Sequence, residues 1–149
     1  MTTNYPAKII TLWAVFLLGL LFHTQLGLMP LFHGLSIAEP HTSSTNDISP
    51  ILWLMLAFFT FPMLAMILAL FTNSKGFRKL HFGLTMIYTV LNFAHVVADL
   101  LVSPIIWPQI VLMVILLLIG IILNWVSWQW LKASKSIPIP VPSHRRSTP

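Results

Sequence analysis

Four long apolar runs, at roughly Ile9 to Met29, Ile51 to Phe71, Leu80 to Val102 and Pro108 to Leu131, leave this chain very few ways to fold. Each has about the 20 residues that a helix needs to cross a hydrocarbon core. Hydrophobic residues make up 57% of the 149 and charged ones 7%, a balance outside the range of soluble domains. In lipid the main chain must satisfy its own hydrogen bonds, which a helix does internally and an open sheet does not, and runs this long are not barrel strands. The expectation is an all-α, multi-pass integral membrane protein: one domain over residues 1–149, built as an up-and-down four-helix bundle.

Charge orients this bundle. The eight Lys and Arg residues all fall at one end: Lys8 before the first run, Lys75, Arg78 and Lys79 between the second and third, and Lys132, Lys135, Arg145 and Arg146 after the fourth. The opposite connections hold no basic residue, and the longer one contains Glu39 and Asp47. The positive-inside rule then puts both termini in the cytoplasm, N-in/C-in, in a prokaryotic inner membrane or a comparable energy-transducing one. The formal charge of +5 is topological, since no basic residues interleave with aromatics on a soluble face; the expected partners are the bilayer with its anionic headgroups and other membrane subunits or further copies of the chain, not nucleic acid.

The connections follow from turn chemistry. Asn73-Ser74-Lys75-Gly76 turns the chain between the second and third runs, Pro104 and Pro108 separate the third from the fourth, and Pro40 and Pro50 bracket a polar tract. Residues 132–149, with alternating prolines from Pro138 to Pro142, read as an extended or disordered basic tail. Ser36 to Ala38 has the small-x-small form of a signal-peptidase site, but the apolar run before it exceeds a signal core and ends well short of it, so a retained first helix is expected. Trp53 and Trp107 at one end, and Trp125, Trp128 and Trp130 at the other, read as interfacial anchors. Gly120, Asn124 and Ser127 read as a helix-packing patch. With no cysteine, disulfides and thiolate ligands are excluded.

One face breaks the apolar pattern. His81, Thr85, Tyr88, Asn92, His95 and Asp99 are spaced four, three, four, three and four residues apart along the third run. At about 100° of turn per residue they form one seam, and ionisable groups in such a setting mark a functional site by default. The first and third runs go in the same direction, and His23 and His95 lie at matched depth along them. Asp99 follows His95 by one turn, as a ligand or an orienter of the imidazole. His33 and His41, in the connection above His23, can add ligands from the loop.

Three chemistries fit these residues. His23, His95 and Asp99, with His33 or His41, supply the imidazoles and carboxylate wanted by Cu, Fe or Zn. A haem b would take His23 and His95 as axial ligands, with Gly19 and Gly27 leaving room beside His23 for a flat macrocycle. The 14-residue separation of His81 and His95 is similar to that of the paired histidines on the membrane helices of cytochrome b, where two haems stack across the bilayer. Only this spacing matches: the second and fourth runs contain no histidine, so the resemblance implies at most one outer haem. The third chemistry is a proton or ion relay along the seam from His81 to Asp99. Beside all three stands a structural reading, in which Thr85, Tyr88 and Asn92 are interhelical glue and no cofactor is bound.

The expected function is a small accessory or assembly subunit that holds a haem or transition metal near its outer face for electron transfer or cofactor handling. With no nucleophile elbow, phosphate loop or zinc-protease motif, and three carboxylates in all, an enzyme is not expected. Because native cysteine is absent, single cysteines report topology cleanly. In intact cells a membrane-impermeant maleimide is expected to label Ser43→Cys and to leave Thr2→Cys and Ser143→Cys unlabelled; the reverse pattern would invert the orientation.

Overall fold

The computed structural model describes residues 4–35, 48–102 and 105–133. Glu39, His41, Asp47 and the chain after Ala133 lie outside the described residues, and with them the ligand role expected of His41 and the basic tail. The described residues form four helices, α1 (Tyr5–Phe32), α2 (Ser49–Phe71), α3 (Lys75–Leu101) and α4 (Trp107–Ala133). All four are long and apolar enough to cross a membrane.

Local chemistry sets their ends. The Asn4 side chain accepts from the Ala7 amide at 3.2 Å and Ser74 Oγ accepts from the Phe77 amide at 3.3 Å, capping α1 and α3. Proline occupies the first turn of α1 and of α2, where its missing N–H costs nothing. At the far end of α1 the Gly34 amide donates to Leu31 O and the Leu35 amide to Pro30 O, closing a Schellman turn. That turn needs a left-handed residue, and Gly34 supplies it at φ 73°. The helices outrun the apolar stretches at the basic end, so Arg78 and Lys79 lie in the first turns of α3 rather than in a loop.

Helix α4 packs against both α1 and α3, and α2 packs on α1. Small residues permit the approach. A Cβ on Gly19 would collide with the Leu116 side chain, one on Gly27 would meet Gln109 Nε2 at 3.0 Å, and one on Gly120 would meet Thr89 Oγ1 at 3.0 Å. The space beside Gly19 and Gly27 is therefore filled by α4 side chains. Around these contacts lies a core of Ile9, Trp13 and Phe16 from α1 with Met113, Leu116 and Leu123 from α4.

The first four residues of the α3 seam face inward, with His81, Thr85, Tyr88 and Asn92 all buried, while Asp99 is half-buried and His95 is exposed. Trp13 Nε1 donates to His81 Nε2 at 3.0 Å, the Tyr88 hydroxyl donates to Phe58 O, and Asn92 Nδ2 donates to Met113 O at 3.4 Å. These bonds reach α1, α2 and α4 in turn. Asn124 Nδ2 adds a 2.8 Å bond to Thr89 Oγ1, so the small polar patch of α4 packs on α3. Trp53, Trp107, Trp125 and Trp128 are exposed, but Trp130, expected at the interface, is 2% exposed. Its ring packs edge-on to His81 and Phe77, since the face of α4 that meets α3 carries it inward.

Trp13→Phe removes the one N–H that His81 Nε2 accepts among the described residues and leaves a buried acceptor unpaired. A loss of about 1–3 kcal/mol is expected in thermal unfolding of the purified protein in detergent. Adding His81→Leu to Trp13→Phe should restore part of that loss.

Candidate metal centre

Because α1 and α3 run in the same direction, residues near their C-terminal ends share a level. His23 lies nine residues before the end of α1, and His95 and Asp99 lie six and two residues before the end of α3. His23 Nε2 is 3.3 Å from Asp99 Oδ2, and His95 Nε2 is 3.6 Å from Asp99 Oδ1. The two imidazoles meet edge to face, with ring centroids 5.3 Å apart and planes at 74°. The carboxylate thus stands between two ring nitrogens, one on each oxygen.

Side-chain exposures of 14% for His23, 23% for Asp99 and 53% for His95 describe a site closed on the α1 side and open beside His95. His23 Nε2 and Asp99 Oδ2 are buried and have no hydrogen-bond partner. Polar atoms in that condition lack a cation, a proton or a water. One donor atom from each of the three residues lies within 4.8 Å of the other two, a group that can hold a metal ion. Donors bound at about 2.0–2.2 Å to a shared ion lie about 3–4 Å from one another, so both His–Asp separations already suit coordination.

The remaining candidates are placed as follows. His33 is exposed at the C-cap of α1, ten residues beyond His23 and so about 15 Å further along the axis, outside the ligand group. Gly19 and Gly27 face α4, as described above. His81 lies near the other end of α3, enclosed by Trp13, Phe77 and Trp130. Thr85 Oγ1 donates to Phe82 O at 2.8 Å, a bond within its own helix. Among the described residues no hydrogen bond joins His81, Thr85, Tyr88 and Asn92 to one another, because each is engaged elsewhere.

A cleft of about 440 Å³, lined by His23 and His95 among others, opens between α1, α2 and α3, with Met113 of α4 in its wall. Its walls are mainly apolar, from Phe16, Leu20, Phe58 and Met113, and Asn92 lies at its polar side with a buried, unpaired Oδ1.

Two residues that organise the interior carry no motif in the sequence. Trp13 shares a helix face with Ile9 and Phe16, at four- and three-residue spacing, and a buried indole needs an acceptor for its N–H; that pairing of needs with His81 is the only signal available beforehand. Arg78 reads as one member of a basic cluster but is 7% exposed. Comparison with protein-family models, with curated proteins and with solved structures gives no match to this chain.

Tyr88→Phe deletes the bond to Phe58 O and leaves the three candidate ligands in place. It is expected to lower stability by about 0.5–1.5 kcal/mol and to leave metal content per chain unchanged, as read by thermal unfolding and elemental analysis of one preparation.

Proposed function

We propose that this chain is a four-span membrane protein, with both termini cytoplasmic, that holds a transition-metal ion near its outer face through His23, His95 and Asp99. The observation that carries this reading is the convergence of two imidazole nitrogens on one half-buried carboxylate, with His23 Nε2 and Asp99 Oδ2 lacking any other partner. Two imidazoles and a carboxylate suit Zn, Fe or Cu and leave further coordination positions for water or an exchanging ligand. A centre open beside His95 suits cofactor handling, in which an ion is taken up and passed on within a larger membrane system. A haem b suits the site less well. Axial imidazoles must stand on opposite faces of a macrocycle, whereas these two address the same carboxylate and the gaps at Gly19 and Gly27 are filled.

A second reading, a membrane-complex subunit without a cofactor, draws on the α3 seam. Its bonds to α1, α2 and α4 serve the bundle itself, and the outward faces of all four helices are apolar and open to lipid, a partner subunit or another copy.

The deciding measurement is an absorption spectrum with quantitative elemental analysis on the chain purified from metal-replete cells. Stoichiometric metal without a Soret band is the expected result. A reducible Soret band with matching iron would install haem in its place, and absence of both would leave the cofactor-free subunit. Given stoichiometric metal, His95→Ala is expected to weaken binding by at least about tenfold, since disturbing even the groups behind a ligand costs 10–100-fold. His33→Ala should leave it unchanged, and retention of full affinity by His95→Ala would overturn the ligand assignment.

A further inference from the structure

At the end of the bundle opposite Asp99, a charged group is buried without a counter-charge among the described residues. Arg78 is 7% exposed. Its Nη1 donates to Trp130 O at 2.8 Å, its Nη2 donates to Asn73 Oδ1, and its guanidinium carbon lies 5.1 Å from the centre of the Trp130 ring. Nε is buried and has no partner. Every group that Arg78 touches is neutral, yet a guanidinium stays charged in any protein environment.

The described residues have no acidic side chain to offer there: Asp99 is 21 residues further along the same helix, about 31 Å away. Lys75 and Lys79 on neighbouring turns add positive charge. A buried cation without an anion is costly, and the usual remedy is a partner that brings both charge and hydrogen-bond acceptors.

The space for such a partner exists. A cleft of about 590 Å³ opens at this end, lined by Tyr5, Thr72, Asn73, Arg78 and Trp130 among others. That is room for about twenty waters at about 30 Å³ each, well beyond the needs of one phosphate group. The arginine fork matches phosphate geometry, and the Nη hydrogens not used by Trp130 O and Asn73 Oδ1 are the part of that fork left for a ligand. Tyr5 and Thr72 belong to the same wall.

We propose that this cleft binds a phosphate group, carried by a lipid headgroup of the inner leaflet or free in solution, with Arg78 as its principal ligand. Arg78 then differs from the exposed lysines around it: it is a built site, whereas they attract anions diffusely. The site is independent of the metal reading at the other end.

The test uses the full chain in a neutral detergent. Thermal unfolding is followed with dioleoyl phosphatidylglycerol, with dioleoylglycerol as the phosphate-free comparator, and with inorganic phosphate. A rise in unfolding temperature with the phospholipid alone supports a lipid headgroup, and a rise with inorganic phosphate as well supports the site with phosphate as sufficient ligand. No rise with either overturns the proposal, and this arm needs no variant. By native mass spectrometry, Arg78→Gln is expected to weaken phospholipid retention about ten- to hundredfold, the value of hydrogen bonds to a charged group. The double variant Lys75→Gln and Lys79→Gln should change it by less than about twofold. Equal losses from both variants would mean diffuse attraction and would also overturn the proposal.

Discussion

A buried polar side chain must find its hydrogen-bond partner in another part of the protein, and that constraint governs how α3 is turned within the bundle. Its buried seam reaches each of the other helices by a separate bond: His81 accepts from Trp13 of α1, Tyr88 donates to a carbonyl of α2, and Asn92 donates to a carbonyl of α4. Rotating α3 by even one residue position, about 100°, would take these groups out of reach together. The apolar contacts elsewhere are less selective, since lipid tails solvate a leucine about as well as a neighbouring helix does. Packing then follows the seam, with Gly19, Gly27 and Gly120 allowing α1 and α3 to close on α4.

The same rotation that aims His81 at Trp13 brings His95 and Asp99 round to His23 about four and five turns later. Scaffold and candidate site are thus continuous on one helix face. They differ in how they are satisfied. His81, Tyr88 and Asn92 each bond to another helix, although His81 Nδ1 and Asn92 Oδ1 stay unpaired, whereas among the described residues His23 and Asp99 face only each other and His95. A group that is buried, titratable and incompletely bonded is where an exogenous ion gains most from binding. The adjoining cleft results from the aromatic contact of Phe58 with Tyr88, which links α2 to α3 through side chains, and α2 itself packs on α1.

Charge is segregated along α3. Arg78 in its first turns and Asp99 in its last are separated by nearly the full length of the helix, so neither neutralises the other. Among the described residues the two ends of the bundle thus differ in the sign of the charged side chain they bury, which suits the proposed cation at His23, His95 and Asp99 and the proposed phosphate at Arg78. The Arg78 side chain also bonds to Trp130 O close to the end of α4, where carbonyls lack helical partners and a positive group is favoured.

The four helices were legible in the sequence because a run of about 20 apolar residues has one stable form in lipid. The seam was legible because a 3.6-residue period sorts His81 to Asp99 onto one face, of which His81 to Asn92 turn inward and His95 is exposed. Residue counting along parallel helices likewise put His23 and His95 at one depth. Other features needed the packed structure. Gly19 and Gly27 read as room for a flat ligand and instead admit Leu116 and Gln109, Trp130 reads as an anchor and lies inside, and His81 has a partner in Trp13 that no spacing announces. Periodicity determines which residues share a face, and length and hydropathy determine that the helix forms. Which face meets which neighbour depends on contacts between residues far apart in the chain, so only the tertiary structure decided that two imidazole nitrogens converge on one carboxylate and that Arg78 is buried without an anion.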